Sequence, residues 1–176
     1  MSVRTVLAVL LVVAICSVSY PVIDGARRDR AAYRADAELA EVSRSMVDLA
    51  DETAVPFDDT EPVGARRTVA LSLPAESATT GKIEFVAIGG VPGFHRCPKD
   101  DFGDVLAYRV EGGRTRVRHL PFDVRVATRS ETGRELVVRP DEKPLVVRAP
   151  TRRDIALLLV DYGGNRTLLV VPAAEL

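Results

Sequence analysis

Residues 12–40 read VVAICSVSYPVIDGARRDRAAYRADAELA. The stretch is apolar up to Ile23 and then mixes charged with apolar residues. Pro21 lies close to the boundary between these two parts. An apolar helix that continues into an amphipathic one has a first half suited to lipid and a second half suited to a protein surface. The sequence therefore predicts one long helix from about residue 3 to residue 52.

The apolar half has the length of a membrane-spanning helix. Thr5 through Ile23 are 19 residues without a charge. At ~1.5 Å per residue such a helix is about 28 Å long, close to the ~30 Å of a hydrocarbon core. A secretory signal has a shorter apolar region and an A-x-A cleavage site, which residues 19–28, SYPVIDGARR, lack. We therefore predict that residues 1–24 form an uncleaved, single-pass transmembrane anchor.

The second half, residues 25–54, is predicted as an amphipathic helix. Pro21 is expected to kink the long helix rather than end it. Apolar residues then recur at spacings of three and four, which is typical of one helical face. The predicted helix packing face consists of Ala32, Ala35, Leu39, Val42, Met46 and Leu49. This face can pack on the protein's own C-terminal domain, which we favour, or on a partner helix in a short parallel coiled coil.

The rest of the chain is predicted to be rich in β-structure. Residues 55–65 are a predicted linker, because they combine prolines, a glycine and acidic residues. From residue 66 to residue 176 the apolar period changes to two, in about eight short segments separated by glycine and proline. The predicted fold class is α+β: a long N-terminal helix followed by an antiparallel β-sheet domain, either a β-sandwich or a strongly curved meander.

Three details of this β-domain follow from its sequence. The Gly112-Gly113 pair predicts a hairpin with a type I′ turn, and a second hairpin is predicted through residues 163–165, GGN. Residues 155–160, IALLLV, are apolar at consecutive positions, so both faces of that strand should be covered. We expect a second sheet on one face and the amphipathic helix on the other.

The net charge, the two cysteines and the absence of two catalytic or nucleotide-binding motifs limit the functions that we expect. The formal net charge is −1, so nothing in the overall charge predicts nucleic acid as a partner. The two cysteines, Cys16 and Cys97, do not form a disulfide framework and are predicted to be free thiols. The G-x-S-x-G and G-x4-G-K-[ST] motifs do not occur in the sequence.

One segment collects residues that could carry chemistry. Residues 93–101, GFHRCPKDD, contain His95, Cys97, Asp100 and Asp101, and His119 is a possible further contributor. Zinc ligands usually come as C-x2-C or H-x3-H pairs, and His-x-Cys has neither spacing. A cysteine nucleophile would need a nearby base and a cleft, and the segment indicates no cleft. We therefore predict a polar loop, a protein that is not an enzyme, and no catalytic, cofactor or metal site or small-molecule substrate.

Two surface features complete the sequence-based expectations. Arg114, Arg116, Arg118 and Arg125 could attract an anionic partner, but strand alternation favours an ordinary solvated face. Asn165 begins an N-R-T sequon on a predicted turn, so it is a possible glycosylation site if the domain is external.

The order of helix and β-domain resembles that of type IV pilins and pseudopilins. The segments AIGGVPG (residues 87–93), VLAYRVEGGR (105–114) and PLVVRAP (144–150) further resemble an uncharacterised haloarchaeal membrane-anchored family associated with secretion ATPase systems. The resemblance implies a pilin-like component of a type IV pilus-like or secretion assembly, with the lipid bilayer and other assembly proteins as partners. It supplies no catalytic residues. The chain has no acidic residue before Asp24, which favours a minor or uncleaved subunit over a processed major pilin.

The side of the membrane on which the β-domain lies is open on the sequence. Arg27, Arg28, Arg30 and Arg34 follow the apolar segment and only Arg4 precedes it, which predicts a cytoplasmic domain. The pilin-like resemblance implies an extracellular one, and we expect that arrangement. The alternative function is a membrane-tethered binding module that faces the cytoplasm and works with a secretion ATPase.

Overall fold

A 48-residue helix precedes ten strands in the parts of the chain that the structure describes. The computed structural model describes residues 3–60, 63–93, 104–139 and 143–176. The helix is α1 (Val3–Ala50), and a 3₁₀ turn (Ala173–Glu175) ends the chain. The strands are β1 (Val55–Pro56), β2 (Arg66–Leu73), β3 (Ile83–Ile88), β4 (Val105–Val110), β5 (Arg116–His119), β6 (Asp123–Arg129), β7 (Leu136–Val138), β8 (Leu145–Val147), β9 (Thr151–Tyr162) and β10 (Asn165–Pro172).

Helix α1 continues through Pro21 without a break, as the sequence predicts. Its most apolar stretch lies near the N-terminus and is not buried anywhere by the described chain. By length and composition this stretch could cross a membrane. The structure thus contains a helix whose first part is exposed and apolar and whose second part carries the β-domain.

The second part of α1 packs on the protein's own β-domain. All six residues of the helix packing face are buried there: Ala32, Ala35, Leu39, Val42, Met46 and Leu49. Ala31 and Ser45, which the sequence pattern did not include, are buried on the same helix. Because this face is already covered, it cannot also serve as the seam of a coiled coil with a partner helix.

The larger sheet is mixed rather than antiparallel. Its strand order is β1-β9-β10-β6-β7. Strand β2 pairs with the same edge of β9 as β1 does, but with the earlier residues of β9, 151–158, whereas β1 pairs with Val160 and Asp161. Strand β10 runs parallel to β6, and β1 runs parallel to β9. The expectation of a purely antiparallel domain is therefore wrong for this sheet. A parallel pair needs a long crossover, here the chain from β7 through β9, and local sequence patterns do not record such a crossover.

The smaller sheet is antiparallel, with the order β5-β4-β3-β8. Its β4–β5 connection was predicted as a type I′ turn, and that prediction is wrong. A type I′ turn needs a positive φ at both central residues, and here Gly112 has φ 69° whereas Gly113 is not in the positive-φ region. The β9–β10 hairpin has that geometry instead, because Gly163 (φ 63°) and Gly164 (φ 83°) form its two-residue loop.

Strand β9 is buried on both faces, as predicted, but not by the expected elements. Leu157 and Leu159 belong to the main core, which contains α1 and strands from both sheets. Leu158 and Val160 belong to a second cluster, against which Phe57 and Leu176 pack. The expectation of the helix on one face and the second sheet on the other is therefore wrong. The helix and the smaller sheet share one face, and the other is covered by chain segments near β1, β7 and the C-terminal end.

The segment predicted as a linker carries strand β1. Val55 pairs with Val160 in parallel register, and the Phe57 amide donates to the carbonyl oxygen of Asp161 at 3.0 Å. The rings of Phe57 and Tyr162 meet edge-on, with 5.5 Å between their centroids. The chain that leaves α1 is thus tied to the far end of β9 before it turns back into β2.

Candidate functional site

The cysteine- and histidine-containing loop lies largely outside the described residues. His95, Cys97, Asp100 and Asp101 fall in residues 94–103, which the structure does not describe. His119 is exposed at the end of β5. Within the described ranges, no group of three or more His, Cys, Asp and Glu side chains is arranged to hold a metal ion.

The arginines of the predicted solvated face contact groups of this same chain. Arg116 lies over the ring of Tyr108, 5.9 Å from the centroid, and its Nη1 is 3.2 Å from the tyrosine hydroxyl. Arg118 forms a 3.2 Å ion pair with Asp36 on the helix. These contacts connect β4, β5 and α1, so the two arginines help to hold the smaller sheet on the helix.

Asn165 is exposed as the first residue of β10, next to the β9–β10 turn. Arg166, its neighbour in the sequon, donates a hydrogen bond to the carbonyl oxygen of Glu52 just beyond α1. The structure thus leaves the Asn165 side chain accessible at the end of the domain near residue 52.

The β-domain is fastened to α1 directly after the apolar stretch. The backbone amide of Gly81 donates to the carbonyl oxygen of Arg27 at 2.9 Å. The Arg27 guanidinium binds Glu76 at 2.9 Å and the carbonyl oxygen of Ser77 at 2.8 Å. The loop between β2 and β3 is therefore fixed to the helix four residues beyond Ile23 by both backbone and side-chain contacts.

Further polar contacts follow the helix to its end. The Ser72 amide donates to the carboxylate of Glu38 at 2.9 Å. Arg67 pairs with Asp48 at 2.7 Å. As residue numbers rise along α1, the β2 residues that contact it fall, so β2 runs antiparallel to the helix. Together with the buried packing face, these contacts hold the domain in one position on its helix.

A cleft opens at the junction between α1 and the loops of both sheets. Its volume is about 240 Å³. The helix contributes two arginines and an aspartate, and the β2–β3 and β4–β5 connections contribute the rest. The lining residues are Asp24, Arg27, Arg28, Glu76, Gly81, Lys82, Glu111 and Gly112. Three ion pairs therefore surround the cleft: Arg27–Glu76, Arg28–Asp24 and Lys82–Glu111.

Gly81 allows the β2–β3 loop to lie directly against the helix backbone at this junction. A Cβ on Gly81 would lie 3.2 Å from the carbonyl oxygen of Arg27. A Cβ on Gly112 would approach the Arg28 guanidinium at 4.0 Å. A side chain at residue 81 would therefore push the loop away from the helix backbone.

A single protein-family model matches the helix and the β-domain together. The match covers residues 2–173, from the first turn of α1 to the last strand. The chain belongs to the family described as a domain of unknown function, DUF7311. No curated protein and no solved structure matches it. The DUF7311 unit thus includes the apolar helix as well as the β-domain.

Sequence reasoning missed the junction of this DUF7311 chain. Glu76 and Gly81 are about fifty residues from their helix partners, so no periodic pattern connects them to Arg27. The one available signal was that Glu76 and Lys82, which carry opposite charges, lie on either side of Gly81 in the sequence, and such charges are common on protein surfaces. What the arrangement offers chemically is a set of charge-assisted hydrogen-bonding groups beside a membrane-compatible helix.

Proposed function

We propose that the protein is a non-enzymatic, single-pass membrane protein that serves as a pilin-like component of a type IV pilus-like or secretion assembly. The observation that carries the proposal is the division of α1 into an uncovered apolar half and a half that bears the β-domain. The first half would anchor the protein in the bilayer, and the second half would hold the β-domain next to the membrane.

The fixed position of the domain supports a structural role. The apolar face of α1 and the polar contacts along the helix hold the domain at both ends, from Arg27 to Asp48. Subunits of an assembly benefit from such rigidity, because every copy then presents the same surfaces to its neighbours. The two sheets that share a core with the helix are compatible with a sandwich-like description of the domain.

Partners would contact the surfaces that this packing leaves open. Tyr33 is 77% exposed on the side of α1 away from the domain, and Val47 is 44% exposed on that side. Tyr33 is ten residues beyond Ile23, about 15 Å along the helix. That distance places it above the layer in which tyrosines usually anchor helices to the membrane. Protein neighbours are therefore the partners we propose for this face.

We test the assembly role by crosslinking in the native membrane. A photo-reactive residue at Tyr33 should give crosslinked products that contain other subunits, whereas one at Asn165, on the far end of the domain, should give fewer. Both positions are exposed, so accessibility alone predicts equal yields. Equal yields, or products with lipid alone at Tyr33, would contradict the assembly role.

The second candidate function is the cytoplasmic tether, and the arginines after Ile23 favour it. The two candidates differ in the side of the membrane on which Asn165 lies. We test this with an Asn165→Cys variant in a background in which Cys16 and Cys97 are serine. Labelling by a membrane-impermeant thiol reagent on intact cells supports the pilin-like role. Labelling only after lysis overturns it and supports the tether.

A further inference from the structure

The junction cleft lies at the depth of lipid headgroups if α1 is anchored as proposed above, and this inference rests on that anchor. Arg27 and Arg28 are four and five residues beyond Ile23, the last residue of the apolar stretch. At ~1.5 Å per residue they stand about 6–8 Å outside the hydrocarbon core. The headgroup layer on each side of a bilayer is about 5–8 Å thick. The two arginines would therefore stand at the outer edge of that layer.

The loops of the β-domain are held at the same depth. The hydrogen bond from Gly81 to Arg27 fixes the β2–β3 loop there. Gly112, in the β4–β5 turn, lies beside the Arg28 guanidinium. With α1 anchored in this way, the cleft between these loops and the helix would lie at the depth of the headgroups.

The groups around the cleft match the two kinds of polar atom in one class of headgroup. Arg28 and Lys82 are half-exposed cations, and such groups donate strong hydrogen bonds to phosphate oxygens. Asp24 and Glu111, their partners, are half-exposed carboxylates that accept hydrogen bonds from hydroxyl groups. Exposed ion pairs of this kind are weak, so each can exchange its partner for a ligand.

Arg27, which lines the cleft, has an unsatisfied donor. Its Nη2 is bound to Glu76 and Ser77, but its Nε is buried and has no hydrogen-bond partner within the described chain. A buried donor without an acceptor is costly in a native protein. A small shift of this guanidinium toward a bound phosphate would supply the missing acceptor.

We propose that the cleft binds the headgroup of an anionic phospholipid that carries free hydroxyls, as phosphatidylglycerol does. The phosphodiester would accept from Arg28 and Lys82, and the headgroup hydroxyls would donate to Asp24 and Glu111. Arg30 and Arg114 are exposed next to these residues in sequence and add positive charge near an anionic surface. A choline headgroup has no hydroxyl to donate and no net charge, so it fits less well.

The test measures the unfolding temperature of the purified full chain in detergent micelles. Phosphatidylglycerol or phosphatidylcholine is added at equal mole fractions, and β-sheet circular dichroism reports unfolding. We expect phosphatidylglycerol to raise the midpoint by roughly 5–10 °C more than phosphatidylcholine at about a hundred times its dissociation constant. The same assay is run with soluble glycerol phosphate to distinguish a free phosphate site from a lipid site.

The variants are Arg28→Gln with Lys82→Gln, and Arg44→Gln as the matched control. Arg44 is an exposed helix arginine in a 2.6 Å ion pair with Glu41, far from the cleft. The double variant should lose the phosphatidylglycerol-specific rise, and the control should keep it. If the double variant does not fold, Lys82→Gln alone, at a half-exposed position, should reduce the rise.

Three results would overturn the proposal: equal stabilisation of the unmodified chain by both lipids, a rise that the cleft variants retain, or an equal rise with soluble glycerol phosphate. The assay contains no assembly partner, and headgroups occur on both membrane faces. Its failure would therefore leave the crosslinking and labelling results intact. Labelling only after lysis, or equal crosslinking yields, would leave this assay intact, whereas lipid-only products at Tyr33 would also contradict the depth assumed for the cleft.

Discussion

The backbone amide of Gly81 donates to the carbonyl oxygen of Arg27, with 2.9 Å between nitrogen and oxygen. This bond connects a loop of the β-domain to a helix carbonyl that stands about 6 Å beyond the apolar stretch. It fixes how closely the domain approaches the apolar end of its own helix. Three of the four predictions below concern contacts between domain and helix, and one concerns the β9–β10 turn.

Gly81→Ala should destabilise the protein by about 1–3 kcal/mol, because the new Cβ meets the helix backbone. The atoms nearest to it are the carbonyl oxygen and carbon of Arg27, at 3.2 and 3.3 Å, and neither can rotate away. The free energy of unfolding of the full chain in detergent measures the effect. Gly25→Ala is the matched control: a Cβ there meets nothing within 4 Å in α1, so the change should stabilise by about 0.5–1 kcal/mol. Equal effects at residues 25 and 81 would contradict the close contact.

Leu39→Ala should cost about 2–5 kcal/mol, because Leu39 is 2% exposed in the core between α1 and the β-domain. Val47→Ala, on the opposite side of the same helix at 44% exposure, should change stability by less than about 0.5 kcal/mol. Chemical denaturation of both variants measures the difference. A loss at residue 47 as large as that at residue 39 would show that the outward face is also packed in the isolated protein.

Gly163→Ala should cost about 1–2 kcal/mol, because a residue with a Cβ is strained at φ 63°. Gly163→Asn should cost less, since asparagine tolerates the left-handed region better than alanine does. Thermal unfolding of the two variants gives the comparison. If alanine and asparagine are equally tolerated, the two-residue turn between β9 and β10 does not have the positive-φ geometry described above.

Asp48→Ala should cost less than about 1 kcal/mol, because its 2.7 Å ion pair with Arg67 is largely exposed. The cost should shrink further in about 1 M salt, where the screening length falls to roughly 3 Å. Unfolding measured at low and high salt tests this dependence. A large, salt-independent loss would mean that Asp48 contributes through packing rather than through its charge.

The helix could be predicted from the sequence because its information is local. The spacing of Leu39, Val42 and Met46 alone indicates which side of α1 is buried, and the structure places all three in the core. The alternation of Val69, Leu71 and Leu73 likewise matches the buried face of β2. In both elements each residue's environment follows from neighbours within one or two turns or pleats.

The parallel pairing of β6 with β10 could not be predicted in this way. Thr167 pairs with Asp123, more than forty residues earlier, and the sequence around neither residue indicates which strand it pairs with. The two glycine pairs show the same limit at short range. Gly112-Gly113 and Gly163-Gly164 have the same letters, but only the second adopts a positive φ at both residues, because strand register sets the length of each loop.

No local sequence pattern could have predicted the junction cleft. Its lining comes from the start of the amphipathic half of α1 and from two loops, each after a different strand. The position of those loops depends on how both sheets pack on the helix. A sequence pattern could therefore identify the apolar stretch and the packing face, but not the charged site between them.

The burial of Leu157 against α1 has a consequence for the order in which the protein is made. Leu49 leaves the ribosome more than a hundred residues before Leu157, and β9 is the central strand on which the rest of the larger sheet assembles. At about 5–20 residues per second, the contacts of the helix with β9 can form no earlier than roughly 5–20 s after Leu49 is made, although β2 and β4 reach the helix sooner. During that interval the part of the helix face that β9 will cover is exposed on the nascent chain, so it is available for transient contacts with other apolar surfaces.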